Sequence, residues 1–331
     1  MPSELPQEPL FNSHTPVLLT EIKQAFLPAL GRARFRDLEA PEKVDENFSL
    51  RYFDGTTGRG GHLAALLEMA PMMEAICYDR DDAAIQYLSE KFAASISDGK
   101  VILKKLNFMT DFETENEGKF DFVLLDLGVS SPQLDEPGRG FSFYHEGPLD
   151  MRMDRAQKFS AADILAESSD DELMELFKDY GEIKNPFRVV RAIVHDRKTT
   201  PFTTTTQLSG LIERVDGWKK KGHHPATNYF LALRLKVNEE LDNLETGLRR
   251  VFSSLKPGGR LAVISFHSLE DRITKYIFRE LAEDENNAIL VNRKVIIATD
   301  EEIEKNPRSR SAKLRVIEKP PRLLLENPNQ T

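Results

Sequence analysis

The chain has 331 residues, 40% of them hydrophobic and 30% charged, which is the composition of an ordinary globular enzyme. Its apolar runs are too short to cross a bilayer, and residues 1–16 lack the basic and apolar regions of a signal peptide. The single cysteine, Cys77, excludes an internal disulfide and a multi-cysteine zinc site. We therefore expect a cytoplasmic protein with no membrane partner and no metal.

The charge distribution is uneven. The net charge of −9 argues against a protein that coats nucleic acid with its whole surface. Residues 186–236, however, hold ten Lys or Arg against three Asp or Glu, and residues 306–322 hold six against one. Such clusters are either solvated helix faces or a localised phosphate-binding surface, and the sequence leaves both interpretations open.

Short apolar strands and helices alternate between residues 50 and 126. The pattern predicts strands at 50–54, 75–79, 101–106 and 120–126, and helices at 63–69 and 82–92. This alternation is typical of a parallel sheet covered by helices on both faces. The preceding region is predicted to contain a loose tail at 1–13, a helix at 17–26 and a surface loop at 32–46.

The alternation stops after Gln133. Residues 136–224 contain no convincing buried strand, but Ser160 with Asp163 and Ser169 with Glu172 have the spacing of helix-capping boxes. We therefore predict a helical insertion domain over 136–224. The sheet domain is then discontinuous, with predicted ranges 14–135 and 225–320, and tails at 1–13 and 321–331.

The last third of the chain returns to alternation. Apolar residues three or four apart predict one long helix over 227–255, which Pro257-Gly258-Gly259 ends before a strand at 260–266. A helix over 269–281, capped by Ser268 with Asp271, follows. Late strands at 289–297 and 313–318 complete the predicted sheet.

A Gly-rich turn, Asp54-Gly-Thr-Thr-Gly-Arg-Gly-Gly-His62, joins the first predicted strand to its helix. Gly58 and Gly60 would let the backbone approach a ligand closely. Asp79, nineteen residues beyond Gly60, stands where an acid hydrogen-bonds a ribose. The alternative is a tight turn beside an unrelated acid. If the turn binds an adenosine-containing ligand, these residues alone do not distinguish a nicotinamide cofactor from S-adenosylmethionine.

The segment 255–266 resembles the Pro-Gly-Gly turn and fifth strand of class I S-adenosylmethionine-dependent methyltransferases, and the two late strands resemble the reversed hairpin of that fold. The resemblance implies an α/β fold with a Rossmann-like sheet, mostly parallel with an antiparallel last strand, carrying the helical insertion domain. It disfavours a dehydrogenase, whose hydride-relay motif is also missing.

A second resemblance covers nearly the whole chain in order. The longest strings are Leu124-Leu-Asp-Leu-Gly-Val-Ser-Ser-Pro-Gln133 and Gly147-Pro-Leu-Asp-Met-Arg-Met-Asp154. Shorter strings lie at 14–19, 139–143, 191–194, 224–227, 265–272 and 306–311. Together they resemble the MraW family of small-subunit ribosomal RNA methyltransferases.

This resemblance implies transfer of a methyl group from S-adenosylmethionine to the exocyclic N4 of a cytidine in 16S rRNA, at the decoding centre. It places the cofactor contacts on Gly60, Gly61, His62, Asp79, Phe108, Asp126 and Gln133. Phe108 would stack beside the adenine, or would pack in the core. Thr57 and Asn228 depart from the family pattern, where an aromatic residue and an arginine are expected, and the second departure bears on the grip on RNA.

The expected chemistry needs an acceptor for the cytosine amine, whose lone pair is delocalised into the ring. We expect Asp126, or a backbone carbonyl of residues 129–131, to accept from N4, with Ser130 and Ser131 orienting the amine. His267 would either cap a helix or line the base pocket. No metal site is predicted, since His223 and His224 lack further ligands at metal spacing.

The expected partner is 16S rRNA or the small ribosomal subunit. The candidates for contacting the RNA backbone are Arg188, Arg191, Arg197, Lys198, Arg308 and Arg310. Two alternatives stay open: a methyltransferase acting on another nucleic-acid or protein amine, and a non-catalytic RNA-binding assembly factor. The oligomeric state, including a homodimer, is also open.

Overall fold

The computed structural model describes residues 16–27, 50–217, 224–284 and 286–321. The predicted tail at 1–13, the predicted surface loop at 32–46, the start of the string at 14–19 and His223 therefore lie outside the described residues, as does all but the first residue of the predicted tail at 321–331. Within the described ranges, no helix is both long and apolar enough to span a membrane.

Eight strands of the described chain form one sheet, in the order β3-β2-β1-β4-β5-β8-β6, with β7 also pairing with β8. β1 to β5 are parallel, and β8 runs antiparallel to β5, β6 and β7. The predicted class I methyltransferase fold is thus confirmed. The strands are β1 Arg51–Asp54, β2 Glu74–Asp79, β3 Val101–Lys105, β4 Phe120–Asp126, β5 Leu255–Ser265, β6 Ile289–Leu290, β7 Ile296–Ile297 and β8 Lys313–Glu318.

Side chains alternate between the two faces of the sheet, so each face has its own hydrophobic core. On β4, for example, Phe122 and Leu124 belong to one core, and Val123 and Leu125 to the other. The helices outside the insertion are α1 Leu19–Phe26, α2 Gly61–Met69, α3 Asp82–Lys91, α4 Ala93–Ser97, α5 Ser131–Asp135, α11 Leu244–Ser253, α12 Ser268–Leu281 and α13 Asp300–Lys305. Short 3₁₀ turns lie at Thr114–Asn116, Pro137–Arg139 and Pro307–Ser311.

The insertion is helical, with α6 Ala161–Glu167, α7 Asp170–Asp179, α8 Phe187–Asp196 and α9 Thr205–Asp216. Both predicted capping boxes are confirmed: Ser160 with Asp163 begins α6, and Ser169 with Glu172 begins α7. These helices share a third hydrophobic core, which also takes in residues of α10 Thr227–Val237, beyond the predicted boundary at 224.

The predicted single helix over 227–255 is wrong, because it is two helices, α10 and α11. The break follows Asn238, which is 1% exposed. The Asn238 amide donates to the carbonyls of Arg234 (2.9 Å) and Met151 (2.7 Å), and its oxygen accepts from the Met153 backbone N–H (2.8 Å). Glu239 then adopts a positive φ of 49°, which ends the helical path. The hydrogen bonds of Asn238 to the insertion therefore end the helix, although the apolar periodicity continues.

The predicted cap of α12 is also wrong. His267, not Ser268, is the N-cap residue, and its side chain accepts from the Glu270 backbone N–H. Ser268 instead donates its hydroxyl to the Glu182 carboxylate of the insertion. Arg272, one turn along α12, contacts the same carboxylate at 2.8 Å, so Glu182 joins the insertion to the start of α12.

Candidate active site

The carboxyl ends of β1, β2 and β4 meet at one edge of the sheet, where ligands bind in open α/β folds. Each of these strands ends in an aspartate, namely Asp54, Asp79 and Asp126. The Gly-rich turn leaves β1 at this edge and enters α2. Five of the residues predicted to contact the cofactor, Gly60, Gly61, His62, Asp79 and Asp126, therefore lie at this edge of the sheet.

The glycine turn has a left-handed backbone and packs closely against neighbouring side chains. Gly58 and Gly60 have positive φ values of 55° and 64°, in the left-handed region. A Cβ at Gly60 would lie 2.6 Å from the Phe92 ring and 2.7 Å from Leu88, so no larger residue fits. Thr57, which departs from the family pattern, donates its hydroxyl to the Tyr78 carbonyl at 3.1 Å. That bond holds the turn against β2.

Gly60→Ala is expected to lower the fold's stability by about 1–3 kcal/mol, because alanine strains a left-handed position and its methyl overlaps Phe92. S-adenosylmethionine affinity should fall by about tenfold or more as the turn shifts. Urea unfolding and calorimetry measure the two effects. Gly99→Ala is the matched control, since Gly99 has φ 73° but no atom within 4 Å of an added Cβ. Equal effects of the two variants on affinity would contradict the prediction.

Asp79 is tied to the glycine turn. Its Oδ2 accepts from the Gly58 backbone N–H at 2.7 Å, and its Oδ1 accepts from the Asp81 N–H at 2.9 Å. Burial raises the pKa of Asp79, while these two backbone donors act to lower it. Each oxygen retains a second lone pair, so the predicted contact of Asp79 with a ribose stays a prediction consistent with this geometry.

Asp126 carries an unused acceptor at the end of β4. Its Oδ1 is buried and has no hydrogen-bond partner among the described residues. Its Oδ2 lies 3.7 Å from Nδ1 of His62, a buried residue of α2. Burial, with the neighbouring charges of Asp54 and Glu270, raises the pKa of Asp126 from 3.8 to about 8. An unsatisfied buried oxygen is costly, so this oxygen is available to accept from a bound donor group.

Asp54 lies behind this pair. It is 2% exposed and accepts from the Tyr52 hydroxyl at 2.7 Å and from the Thr56 backbone N–H at 3.1 Å. Burial raises the pKa of Asp54 to about 7, although these hydrogen bonds act to lower it. The crevice is therefore acidic and poorly solvated.

A buried network that sequence reasoning missed positions the loop after β4. Ser130 begins α5 in a capping box, and its backbone N–H donates to Gln133 Oε1 at 2.8 Å. The Gln133 amide donates in turn to Asp81 Oδ2 at 2.8 Å, and the Arg139 guanidinium donates to the same oxygen at 2.7 Å. The amide of Gln133 is thus engaged within the protein. The sequence signal for this network was Asp81, which stands at the N-cap position of α3. The structure shows that Asp81 is only 6% exposed.

Phe108 is 3% exposed and belongs to the core formed with β1 and α11. A Cβ on Gly55 would lie 3.1 Å from Phe108, and one on Gly247 would lie 3.2 Å from it. The two glycines therefore make room for the ring. Core packing is the role that the structure gives Phe108, and its stacking on adenine stays a prediction.

Arg234 of α10 reaches the same crevice and was not singled out from the sequence. It forms a two-point ion pair with Glu240, at 2.9 and 3.0 Å. Its Nη2 lies 4.0 Å from where a Cβ on Gly128 would stand, in the loop after β4. Nearby, His267 caps α12 and its Nε2 lies 3.1 Å from Glu270 Oε1, so the capping role expected as one alternative is present.

The predicted RNA contacts separate into exposed and engaged residues. Exposed side chains are those of Arg188, Arg191, Lys198 and Arg310. Arg197 donates to the carbonyls of Leu165 and Ser168 at the end of α6, and Arg308 pairs with Asp135 at 2.6 Å. Asn228, where the family pattern has arginine, donates to the Gly181 carbonyl at 3.0 Å and stabilises the turn between α7 and α8.

The residues at this edge of the sheet suit a nucleoside cofactor. Asp79 lies beside the glycine turn and keeps a second lone pair on each carboxylate oxygen for ribose hydroxyls. Within the described ranges, no three His, Cys, Asp or Glu side chains are grouped so that they could hold a metal ion.

The family that the sequence resembles can be checked against known proteins. The family model described as the MraW methylase family matches residues 12–320. A protein of Bdellovibrio bacteriovorus named ribosomal RNA small subunit methyltransferase H is 52% identical over 316 residues, covering 96% of this chain and 90% of that protein. A protein of the same name from Pseudoalteromonas atlantica is 42% identical over 288 residues, covering 81% of this chain and 91% of that protein.

A solved rRNA methylase from Streptococcus thermophilus aligns with 90% of this chain and 95% of its own, at 11% identity and a TM-score of 0.39. The expected family and cofactor rest on the sequence matches. The chain belongs to the MraW methylase family, and it is an S-adenosylmethionine-dependent methyltransferase.

Proposed function

We propose that this protein methylates the exocyclic N4 of a cytidine in 16S rRNA, at the decoding centre of the small ribosomal subunit. Two relatives named as small-subunit rRNA methyltransferases support the class of substrate. The observation that carries the choice of an amine is the unpartnered Oδ1 of Asp126, at the strand end beside the glycine turn. An acceptor there suits a donor N–H.

Gly60, Gly61, His62 and Asp79 form the proposed cofactor cradle, with Phe108 and Gln133 as further predicted contacts. Asp126, also predicted to contact the cofactor, is assigned to the cytosine amine instead. S-adenosylmethionine, when bound, supplies a methyl group on a sulfonium leaving group, so the transfer needs no metal. The protein then contributes by positioning the methyl donor and the acceptor amine. The glycine turn, pinned by Asp79 and Thr57, holds the donor in one place.

The cytosine amine is a weak nucleophile because its lone pair is shared with the ring. Asp126 Oδ1, accepting one N4–H, localises that pair as the new bond forms. A backbone carbonyl of residues 129–131 is the alternative acceptor. Ser130 and Ser131 stand at the start of α5, where the Gln133 and Asp81 network fixes the backbone, and they are proposed to orient the amine.

A cytosine must leave its stack to reach this crevice. The exposed cations Arg188 and Arg191 on α8, with Lys198 and Arg310, are proposed to hold the flanking phosphates. Because Arg197 and Arg308 already satisfy carbonyls or a carboxylate, we assign them a smaller share of the contact.

The double variant Arg188→Glu, Arg191→Glu is expected to weaken binding of unpaired RNA by about tenfold or more and to reduce the salt dependence. Losing two phosphate contacts should flatten the slope of log K against log salt by about 1.4. Filter binding over a salt series measures both. The control variant Lys119→Glu, Arg279→Glu makes the same charge change at the opposite edge of the sheet. Unchanged binding by the first variant would remove α8 from the interface.

The proposed activity is tested by mass spectrometry of small-subunit rRNA from cells that lack this protein. The expected result is loss of one N4-methylcytidine, restored by the wild-type chain. If the rRNA is unchanged, purified protein with radiolabelled S-adenosylmethionine identifies another nucleic-acid or protein acceptor. Absence of cofactor binding would favour a non-catalytic assembly factor instead.

A further inference from the structure

His62 lies beside Asp126, and its hydrogen-bond partner indicates which ring nitrogen carries the hydrogen. The His62 side chain is 7% exposed, and its Nε2 lies 2.9 Å from the Val17 carbonyl oxygen. A carbonyl can only accept, so the Nε2 atom carries the hydrogen. The other ring nitrogen, Nδ1, is therefore a bare acceptor, and it points toward Asp126 Oδ2 at 3.7 Å.

The surroundings of Asp126 favour its protonated form. The groups that face it are the carboxyls of Asp54 from β1 and Glu270 from α12, and His62 from α2. Arg234, a cation whose charge acts on Glu270, is paired with Glu240. Among the described residues, the basic side chain within 4 Å of the Asp126 carboxyl is His62 alone. Burial lowers the pKa of His62 to about 4, so its ring is neutral and the two groups do not form an ion pair.

A protonated carboxyl cannot by itself take a proton from a methylated amine. It can do so if it gives its own proton to a neighbour in the same step. His62 Nδ1 is the acceptor on its other side. The 3.7 Å separation exceeds a hydrogen bond and has to shorten to about 3 Å, as catalytic contacts commonly do when substrate binds.

We propose that His62 is a positioning residue that takes the Asp126 proton, so that Asp126 can accept the proton released from N4. This proposal rests on the proposed function. One N4–H bond breaks as an Oδ1–H bond forms, and one Oδ2–H bond breaks as an Nδ1–H bond forms. The released proton ends on the His62 ring, and nothing is oxidised or reduced. Val17 holds the ring in the tautomer that makes this transfer available.

His62→Gln tests the relay. Glutamine keeps an N–H that can reach the Val17 carbonyl but places no acceptor at the Nδ1 position. We expect kcat at saturating S-adenosylmethionine to fall by about 10- to 100-fold, a loss that a weakened cofactor contact alone would not produce. The variant's rate should rise steadily from about pH 6 to 8, because only the ionised Asp126 can then accept a proton. The wild-type rate should change little over that range.

His62→Asn is the matched variant, since its side-chain oxygen reaches the Nδ1 position while the Val17 contact is lost. Because its amide oxygen can accept a hydrogen bond but not a proton, its rate should stay low and its pH profile should resemble that of His62→Gln. A profile for His62→Gln that matches the wild type would overturn the proposal.

A second measurement is independent of the methyl acceptor. In the wild-type protein without cofactor or RNA, ¹⁵N NMR of the His62 ring should show hydrogen on Nε2. Carboxyl ¹³C NMR should show Asp126 titrating above pH 7, with Asp126→Asn identifying the signal. Hydrogen on Nδ1, or an Asp126 that is ionised at pH 6, would overturn the relay even if the rRNA assay succeeds. A failed rRNA assay with the expected spectra would instead point to a different acceptor.

Discussion

Asp126→Asn is expected to lower the rate of methyl transfer by about 100-fold or more while changing the Kd for S-adenosylmethionine by less than about threefold. Asparagine keeps a side-chain oxygen at the end of β4 but cannot take a proton. The loss should therefore appear in the chemical step and not in cofactor binding. Single-turnover kinetics with an unpaired rRNA fragment measures the rate, and calorimetry measures the affinity.

Asp135→Asn is the control for this experiment, because Asp135 lies at the end of α5 and pairs on the surface with Arg308. It should change neither quantity by more than about twofold, as exposed pairs contribute little. If Asp126→Asn retains the wild-type rate, the acceptor is a backbone carbonyl of residues 129–131.

The same variant should change how stability depends on pH. The pKa of Asp126 is about 8 in the fold, against about 3.9 for an unfolded aspartate. The protonated form therefore stabilises the fold. This contribution is complete below pH 4 and is lost as the pH rises through 8.

Asp126→Asn removes the titrating carboxyl group, so the variant does not lose this stability as the pH rises. Between pH 5 and 9 the variant should gain stability relative to the wild type, by about 2–3 kcal/mol given that the side chain is 27% exposed. Urea unfolding at both pH values measures the difference. Asp54 titrates in both proteins and its charge acts on Asp126, so the difference in stability reports the coupled pair. A constant difference would contradict the raised pKa.

Asp81→Ala is expected to cost about 3–5 kcal/mol of unfolding free energy, the largest stability effect that we predict. The change leaves the buried Arg139 guanidinium without its carboxylate, removes the partner of the Gln133 amide, and deletes the cap of α3. Arg139 is 4% exposed, so water cannot replace the lost partner. Urea unfolding measures the loss.

Two control variants distinguish the loss of the buried network from the loss of any one carboxylate partner. Asp135→Ala breaks an exposed arginine pair and should cost less than about 1 kcal/mol. Asp81→Asn keeps the shape and some hydrogen bonds, so its cost should fall between the two. If Asp81→Ala costs as little as Asp135→Ala, the buried network does not stabilise the loop after β4. In that case its role in positioning Ser130 would also fail.

Strong local signals were sufficient for much of the fold. The strands at 120–126 and 313–318 have the predicted bounds, because each is a short apolar run with clear ends. The capping boxes at Ser160 and Ser169 could be predicted equally well, since both partners of each box lie within four residues. The long helix at 227–255 failed where a distant partner decided the outcome: Asn238 ends α10 by bonding to Met151, which no local pattern contains.

The sequence by itself therefore determined the alternation of strands and helices, the glycine turn with Asp79 beyond it, and, through the family resemblance, the methyl donor. These depend on residues close together in the chain, where periodicity and backbone preference act. Only the tertiary structure decided that Asp81 and Arg139 hold the loop after β4, and that Val17 sets the tautomer of His62. It also raised the pKa of Asp126, because desolvation and neighbouring charge depend on which distant residues the fold brings together.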